Sequence, residues 1–365
     1  MSLFDRVTFR GGRAAKNRVA LAPLTNQQSH ADGSLSDDEL RWLDLRAEGG
    51  FGVVETCAAH VALDGQGWPG ELGVYDDRLL PGLSRLASGL SARGALSLVQ
   101  LFHGGARAPS SLVGQQPWSA SAFDVSDPAG GFEAPRAASE GDILGVIERF
   151  CDGARRCREA GFDGVELHGA HGYLLCQFLS RTMNLRTDRW GGSIEGRARL
   201  VREVVRAVRA ACPPPFLVGV RLSPEDFGAV TGLDLDESLQ VARWLADDGV
   251  DFLHLSLWQA EKNTKKRPEA HALPLFREAV GPEVRLFAAG NVWTRADAEA
   301  VIARGADVVA LGKAAIANPD WPRRAEDPSW SPRRPPLSVE ELRARGLSDT
   351  FASYMRRWKG FVADP

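Results

Sequence analysis

The chain has 365 residues, of which 44% are hydrophobic and 25% are charged, and these proportions suit a folded protein with an ordinary core. Its net charge is −3 and its basic residues form no stripe, so we expect no nucleic-acid partner. The five cysteines lack C-x-x-C spacing, no apolar run approaches membrane-spanning length, and the N-terminus has no leader pattern. We therefore expect reduced thiols, no membrane partner and a cytoplasmic location.

Eight short apolar runs alternate along the chain with segments of helical periodicity, which is typical of a parallel sheet with crossover helices. The predicted strands cover residues 18–24, 52–55, 96–101, 164–168, 217–222, 252–256, 286–289 and 308–311. Eight parallel strands with their crossovers close into a (β/α)8 barrel. We therefore predict an α/β fold of the TIM-barrel class, formed as a single domain over residues 1–365, with the barrel core in about residues 17–320.

Several helix ends carry local signals. An apolar face that begins near Asp142 predicts a helix that Gly161 ends. The pair Thr294 and Asp297 predicts a capping box, and Asp236 is expected to cap the helix after the fifth strand.

Three segments do not fit a minimal barrel. Residues 104–141 form a long connection rich in Gly, Pro and Ser, and the prolines in residues 321–350 predict irregular structure. Residues 354–359 of the tail are aromatic and basic. They have two interpretations, which are a closing helix on the barrel bottom and a segment that brings Arg356, Arg357 or Trp358 to an active site.

Active sites of TIM barrels lie at the carboxyl ends of the strands. The residues at and after those ends include Thr25, Glu55, Thr56, Gln100, His103, His168, His171, Tyr173, Arg221, Ser223, His254, Ser256, Gly290, Asn291, Gly312 and Lys313. Because this ring has few carboxylates and the His168–His171 pair has no evident third ligand, we predict no metal. The glycines after the last two strands suit a phosphate, and Arg221 suits a delocalised negative charge. The ring therefore suits a neutral or anionic organic cofactor with many hydrogen-bonding edges.

Each of these residues also has a structural interpretation. Gln100 can serve packing, Gly290 and Gly312 can be turn glycines, Arg221 can be a buried ion-pair partner, and His168 can be an interior histidine. The agreement of eight strand ends favours the functional interpretation.

The sequence around the fourth predicted strand reads ELHGAHGYLLCQFLS over residues 166–180 and NLRTDRWGGS over residues 184–193. With NRVALAPLT at residues 17–25 and QLFH at residues 100–103, it resembles the old yellow enzyme family of FMN oxidoreductases. The resemblance covers nearly the whole chain. It implies non-covalent FMN, NADH or NADPH as a transient hydride donor, and ping-pong reduction of activated C=C bonds in small molecules such as enones, maleimides or nitro compounds.

The resemblance also implies roles for particular residues. It places these residues against the cofactor: Pro23, Leu24, Thr25, Thr56, Gln100, His168, Arg221, Gly290, Asn291, Gly312 and Lys313. His168 and His171 would hold the carbonyl or nitro oxygen of the substrate, and Tyr173 would deliver a proton. Gln27 and Trp358 are further expected substrate contacts, and part of the family brings such a tail across a homodimer.

Some positions depart from the family pattern. Thr56 stands where relatives have Ala or Gly, Lys313 replaces an Arg, and the spacing from His103 to Arg107 is one residue longer. Other reactions on the same fold, such as reduction of nitroesters or oxidation of N-methyl donors, stay open. A flavin- or phosphate-binding barrel without turnover is the third alternative.

Overall fold

The computed structural model describes residues 2–125, 131–228 and 230–364. Eight parallel strands form its centre: β1 (Val19–Leu21), β2 (Val53–His60), β3 (Leu96–Phe102), β4 (Gly164–Gly169), β5 (Leu217–Leu222), β6 (Phe252–Ser256), β7 (Arg285–Ala289) and β8 (Val308–Leu311). Their order is β1-β8-β7-β6-β5-β4-β3-β2, and the pairing of Ala20 with Val53 joins β1 to β2 and closes the sheet. The predicted TIM barrel is confirmed, with β1 shorter and β2 longer than expected.

Seven helices connect successive strands and surround the barrel: α1 (Asp37–Glu48), α2 (Leu80–Ala92), α3 (Glu140–Ala160), α4 (Ile194–Ala211), α5 (Leu235–Asp247), α6 (Ala272–Val280) and α7 (Arg295–Ala303). Shorter helices cover Arg10–Gly12, Leu63–Gly65, Asp77–Leu79, Gly105–Arg107, Ser110–Val113, Leu174–Leu179, Lys313–Ala317, Trp321–Arg324, Val339–Ala344 and Asp349–Met355. Two-residue strands cover Val7–Thr8, Ala14–Ala15, Leu72–Gly73, Trp118–Ser119 and Arg136–Ala137. None of the described helices combines the length and the apolar character needed to cross a membrane.

The helix ends follow local capping chemistry. The capping box of Thr294 and Asp297 forms at α7, and α3 ends at Gly161, both as predicted. The expected cap of α5 was wrong. Asp234 holds the extended backbone before the helix, and its carboxylate accepts the N–H of Asp236, which already lies in the first turn.

Aromatic side chains fill the interior of the barrel at its amino-terminal end. The Phe252 ring stacks on the Phe287 ring with centroids 4.7 Å apart. The Phe9 ring, from the N-terminal hairpin, lies 6.4 Å and 6.0 Å from those two rings. Because Phe252 begins β6, this apolar plug closes the bottom of the barrel, and the opposite end is the one open to a site.

The two long connections contain more regular structure than expected. In segment 104–141, residues 126–130 lie outside the described part, and the rest includes short helices and a two-residue strand pair. The prediction that segment 321–350 is irregular was wrong in part. It contains two short helices, because Pro322 occupies a first turn, where proline is tolerated, and Ser338 forms a capping box with Glu341.

Candidate active site

A cavity of about 730 Å³ opens at the carboxyl ends of the strands, and each of the eight strands contributes to its wall directly or through the residue that follows it. The predicted site residues that line it are Pro23, Leu24, Thr25, Gln100, His168, His171, Tyr173, Arg221, Gly290, Asn291, Gly312, Lys313 and Trp358. Its described lining contains three cationic side chains, Arg107, Arg221 and Lys313, and no carboxylate. The cavity therefore suits an anionic ligand.

His168 and Tyr173 lie together on one wall of the cavity, with ring centroids 4.9 Å apart. Nδ1 of His168 accepts the N–H of Ala170 at 3.3 Å. Burial, followed by the nearby His171 and Arg221, lowers the pKa of His168 well below its usual value. A neutral imidazole that accepts at Nδ1 carries its proton on Nε2, so His168 is a hydrogen-bond donor. Burial also raises the pKa of Tyr173, which keeps its phenol protonated.

His171 is held in a left-handed backbone conformation, with φ of 60°. Its carbonyl accepts a hydrogen bond from Arg107 at 2.7 Å, and its N–H donates to Ser223 at 3.3 Å. Its Nε2 lies 2.6 Å from the hydroxyl of Ser256. Burial, then the charge of Arg221, lowers the pKa of His171 well below its usual value. A substrate oxygen must therefore compete with Ser256 for this ring nitrogen.

Arg107, whose role the unusual spacing left open, lies in the cavity wall. Its guanidinium carbon is 4.6 Å from the ring centroid of Tyr173 and 5.2 Å from that of Phe132. Its hydrogen bond to the His171 carbonyl fixes the loop that carries His171 and Tyr173. The positive charge beside Tyr173 favours the phenolate, although burial outweighs this effect on the pKa.

Gln100 and Arg221 form the cavity floor, above a layer of buried acids. Nε2 of Gln100 donates to Glu166 at 2.7 Å, and Nδ1 of His254 lies 2.7 Å from the other Glu166 oxygen. One ligand atom from each of Glu55, Glu166 and His254 falls within 4.8 Å of the others. The strand ends of the sequence predicted Glu55 and did not predict Glu166. We assign no metal here, because Arg221 already supplies positive charge to both carboxylates.

The wall after β7 and β8 combines tight backbone with a cation. A Cβ added to Gly290 would lie 2.4 Å from the carbonyl oxygen of Leu257, so no larger residue fits there. Lys313 lines the cavity beyond Gly312, and its Nζ lies 5.9 Å from the ring centroid of Trp358. Burial alone lowers the pKa of Lys313, and no carboxylate of the described chain acts on it. An anionic group is the partner that this wall lacks.

Two predicted residues do not line the cavity. The hydroxyl of Thr56 donates to the Cys57 carbonyl at 2.7 Å, and the residue is fully buried. Glu55 faces the barrel interior, so strand alternation turns Thr56 away from the cavity. The pairing of β2 with β3 skips from Glu55 to Ala58, and this bulge brings Ala58 to the cavity in place of Cys57. Gln27, with φ of 57°, is also absent from the lining.

Several lining residues were missed because their signals are not local. The wall also contains Trp68, Phe227, Val230, Ser256, Trp258, Trp293, Tyr354 and Met355. Only Ser256 ends a strand and carries a polar group that the sequence analysis had noted. The others come from loops or from the C-terminal helix Asp349–Met355, whose positions depend on tertiary packing.

The C-terminal tail covers the cavity of its own chain. Phe351 of the helix Asp349–Met355 packs edge-on against Trp42 of α1, with centroids 4.9 Å apart. Tyr354, Met355 and Trp358 then line the cavity. The barrel-bottom interpretation was wrong, since the segment lies at the carboxyl ends of the strands, and Arg356 and Arg357 are exposed outside the lining.

Comparison with known proteins agrees with this geometry. Residues 2–329 match the family described as NADH:flavin oxidoreductase / NADH oxidase. A probable NADH-dependent flavin oxidoreductase, YqiG of Bacillus subtilis, is 40% identical over 87% of this chain and 86% of its own length. The chain spans 35%, 33% and 50% of the length of three longer relatives.

Solved structures extend the comparison to the fold and the cofactors. The old yellow enzyme homologue from Zymomonas mobilis is 27% identical, with a TM-score of 0.82 over 96% of this chain and 99% of that one. Morphinone reductase in complex with tetrahydroNAD is 28% identical, with a TM-score of 0.80 over 96% and 97% of the two chains. The chain therefore belongs to the NADH:flavin oxidoreductase / NADH oxidase family and, within it, to the old yellow enzymes, which bind FMN and take electrons from NADH or NADPH.

Proposed function

We propose that this flavin oxidoreductase reduces C=C bonds activated by a neighbouring carbonyl group, as in enones and maleimides, and also accepts nitro compounds. The observation that carries the proposal is the wall on which the neutral His168 and the protonated Tyr173 lie 4.9 Å apart, above the floor of Gln100 and Arg221. His168 offers a hydrogen bond to an oxygen of the substrate, and Tyr173 offers a proton.

The residues present fit FMN. Gln100 and the always-charged fork of Arg221 suit the polar pyrimidine edge of a flavin, and Pro23 and Leu24 offer apolar contacts to its ring. The close backbone at Gly290 suits a phosphate, as does Lys313, which follows Gly312 and has no ion-pair partner among the described residues. Thr25 and Asn291 complete these two ends of the proposed cofactor site.

The chain's own residues then account for the remaining chemistry. FMN, when bound, supplies the hydride. Negative charge develops on the activating oxygen of the substrate, and the Nε2–H of His168, with His171 after it leaves Ser256, stabilises that charge by preorganised hydrogen bonds. Tyr173 holds the proton for the α-carbon. The nicotinamide donor and the oxidant enter the same opening in turn, beside Trp358.

The proposal is tested by separating the two half-reactions. Protein reconstituted with FMN is reduced anaerobically with NADH or NADPH in a stopped-flow instrument, and then mixed with an enone, a maleimide, a nitro compound, a nitroester or an N-methyl donor. Reoxidation by the enone and maleimide faster than by oxygen is the expected result. Reoxidation by oxygen alone, or by the nitroester alone, would reject alkene reduction.

Tyr173→Phe removes the proton donor and keeps the ring that packs on Phe102 at 4.5 Å. We expect reoxidation by an enone to slow by about 10² to 10⁴-fold, the usual contribution of a positioned acid, with flavin reduction nearly unchanged. Tyr75→Phe, which removes a hydroxyl that donates to the Asp32 carbonyl outside the cavity, is the matched control. Equal losses in both half-reactions would contradict the role of Tyr173.

A further inference from the structure

A cluster of buried polar side chains lies below the cavity floor, and the proposed mechanism does not use it. Glu166 contacts Gln100 through Oε1 and His254 through Oε2, each at 2.7 Å. Oε2 of Glu55 lies 3.9 Å from the same His254 nitrogen, and Oε1 of Glu55 has no hydrogen-bond partner in the described part of the chain. Glu55, Glu166 and His254 are at most 1% exposed, and neither acid lines the cavity.

Contact with Glu166 determines which way the amide of Gln100 points. An ionised carboxylate only accepts hydrogen bonds, so Gln100 must turn its NH2 group toward Glu166. The amide oxygen of Gln100 is then the polar atom left for a ligand in the cavity. A flavin carries an N–H at N3 on its pyrimidine edge, and this donor needs such an acceptor.

The two acids divide their protonation unequally. Burial, and then the negative charge of Glu166, raises the pKa of Glu55 well above its usual value. Burial also acts to raise the pKa of Glu166, but His254, Arg221 and the hydrogen bond from Gln100 outweigh it and lower the pKa. Glu166 is therefore the anion that balances Arg221, and Glu55 is a neutral acid beside it.

We propose that Glu166 is a positioning residue for the cofactor: it holds Gln100 as an acceptor for the flavin N3–H and, paired with Arg221, sets the charge against which the flavin is reduced, whereas Glu55 contributes as an uncharged neighbour. The inference rests on the proposed cofactor site in this cavity, and it is independent of which oxidant the enzyme uses.

Three variants separate these roles. Glu55→Gln resembles a protonated acid in shape and charge. The Kd of FMN and the equilibrium constant for reduction of bound FMN should therefore each stay within about twofold of the wild-type value. Glu166→Gln releases the amide of Gln100, and we expect FMN to bind about tenfold more weakly. The loss is measured by quenching of flavin fluorescence.

The double variant Glu55→Gln/Glu166→Gln reports the charge effect, because Glu55 can then no longer ionise in place of Glu166. Reduction adds electron density to a flavin, and the unbalanced Arg221 should favour it. We expect the reduction equilibrium to shift about tenfold toward the reduced form, which is about 30 mV more positive for a two-electron couple. The potential is measured anaerobically by equilibration with a reference dye.

Equal effects of Glu55→Gln and Glu166→Gln, or values within twofold of wild type for all three variants, would overturn the proposal. If Glu166 variants do not fold, the infrared difference spectrum between wild type and Glu55→Gln tests the assignment of the negative charge to Glu166. A carboxylic acid C=O band in wild type supports it, and carboxylate bands instead would overturn it. None of these readouts needs an alkene, so failure of alkene reduction is a separate result.

Discussion

At the scale of single residues, the charge states of the cavity wall follow from burial among cations. His168 and His171 are both held neutral, because burial and Arg221 each lower their pKa values. Tyr173 is held protonated, because burial raises its pKa above the ordinary value of about 10. The donors that the proposed reaction requires are therefore all present at neutral pH, and none of them needs to change its charge when substrate binds.

This arrangement predicts a level pH profile for the oxidative half-reaction. Both imidazoles titrate well below their reference value, and the phenol titrates above its own. The rate of reoxidation by an enone should therefore stay constant from about pH 6 to about pH 9. The rate should fall only as pH rises through the raised pKa of Tyr173. Anaerobic stopped-flow measurements across this range give the profile.

The non-titrating variant His168→Asn serves as its control. If the reoxidation rate of wild type shows an inflection at about pH 6.5 that disappears in His168→Asn, then His168 titrates at its ordinary value, contrary to this expectation.

Residues at strand ends could be predicted from sequence where the strand is regular. Gln100, His168 and Arg221 lie where period-two alternation puts them, and all three reach the cavity. Thr56 does not, because it follows the inward-facing Glu55 and strand alternation turns it away. The bulge after Glu55 makes Ala58 the next cavity residue of β2, and no local pattern marked it. The Glu55–Glu166 cluster was hidden for another reason, because its members come together only where the alternate strands β2, β4 and β6 point side chains into the barrel interior.

At the scale of elements, the C-terminal helix Asp349–Met355 contributes Tyr354 and Met355 to the described cavity lining, whereas the seven crossover helices contribute no residue to it. Ser348 caps it, Phe351 anchors it on Trp42 of α1, and the chain then carries Trp358 over the wall that contains Lys313. Sequence composition indicated an aromatic segment but could not choose the end of the barrel, since that choice depends on packing against α1.

We expect Trp358→Ala to weaken binding of substrate and of the nicotinamide donor. Loss of one aromatic wall costs about 1 kcal/mol, which is about a fivefold increase in KM with kcat little changed. Steady-state kinetics with NADH, NADPH and an enone measure this.

The matched control is Trp330→Ala, another half-buried tryptophan, which packs against Trp321 at 6.2 Å and does not line the cavity. If Trp330→Ala raises KM as much as Trp358→Ala, the effect reflects general destabilisation rather than contact at the site.

At the scale of the whole molecule, barrel closure and the positions of all eight strands could be predicted because each strand is an apolar run buried on both faces. A further buried acid lies beside the site, on the crossover helix α1. Glu39, in the first turn of α1, is fully buried and accepts the side-chain N–H of Asn26 at 3.0 Å, directly after the Pro23–Thr25 segment of the cavity. The stability of the molecule is therefore coupled to the protonation of an acid beside the site.

Burial raises the pKa of Glu39 to about 7, whereas its value in the unfolded chain is near the reference of about 4.5. The folded state thus holds a proton that the unfolded state releases, and this contribution to stability is complete below about pH 4.5 and is lost as pH rises through about 7.

Glu39→Gln keeps an acceptor for Asn26 without a charge. At about pH 8 it should therefore be more stable than wild type by about 1–3 kcal/mol, and below about pH 4.5 the difference should vanish. Melting temperatures of both proteins between these pH values measure the effect, with Glu48→Gln, an exposed position on the same helix, as the control. Parallel curves for wild type and Glu39→Gln would show that Glu39 is not the group whose ionisation destabilises the fold.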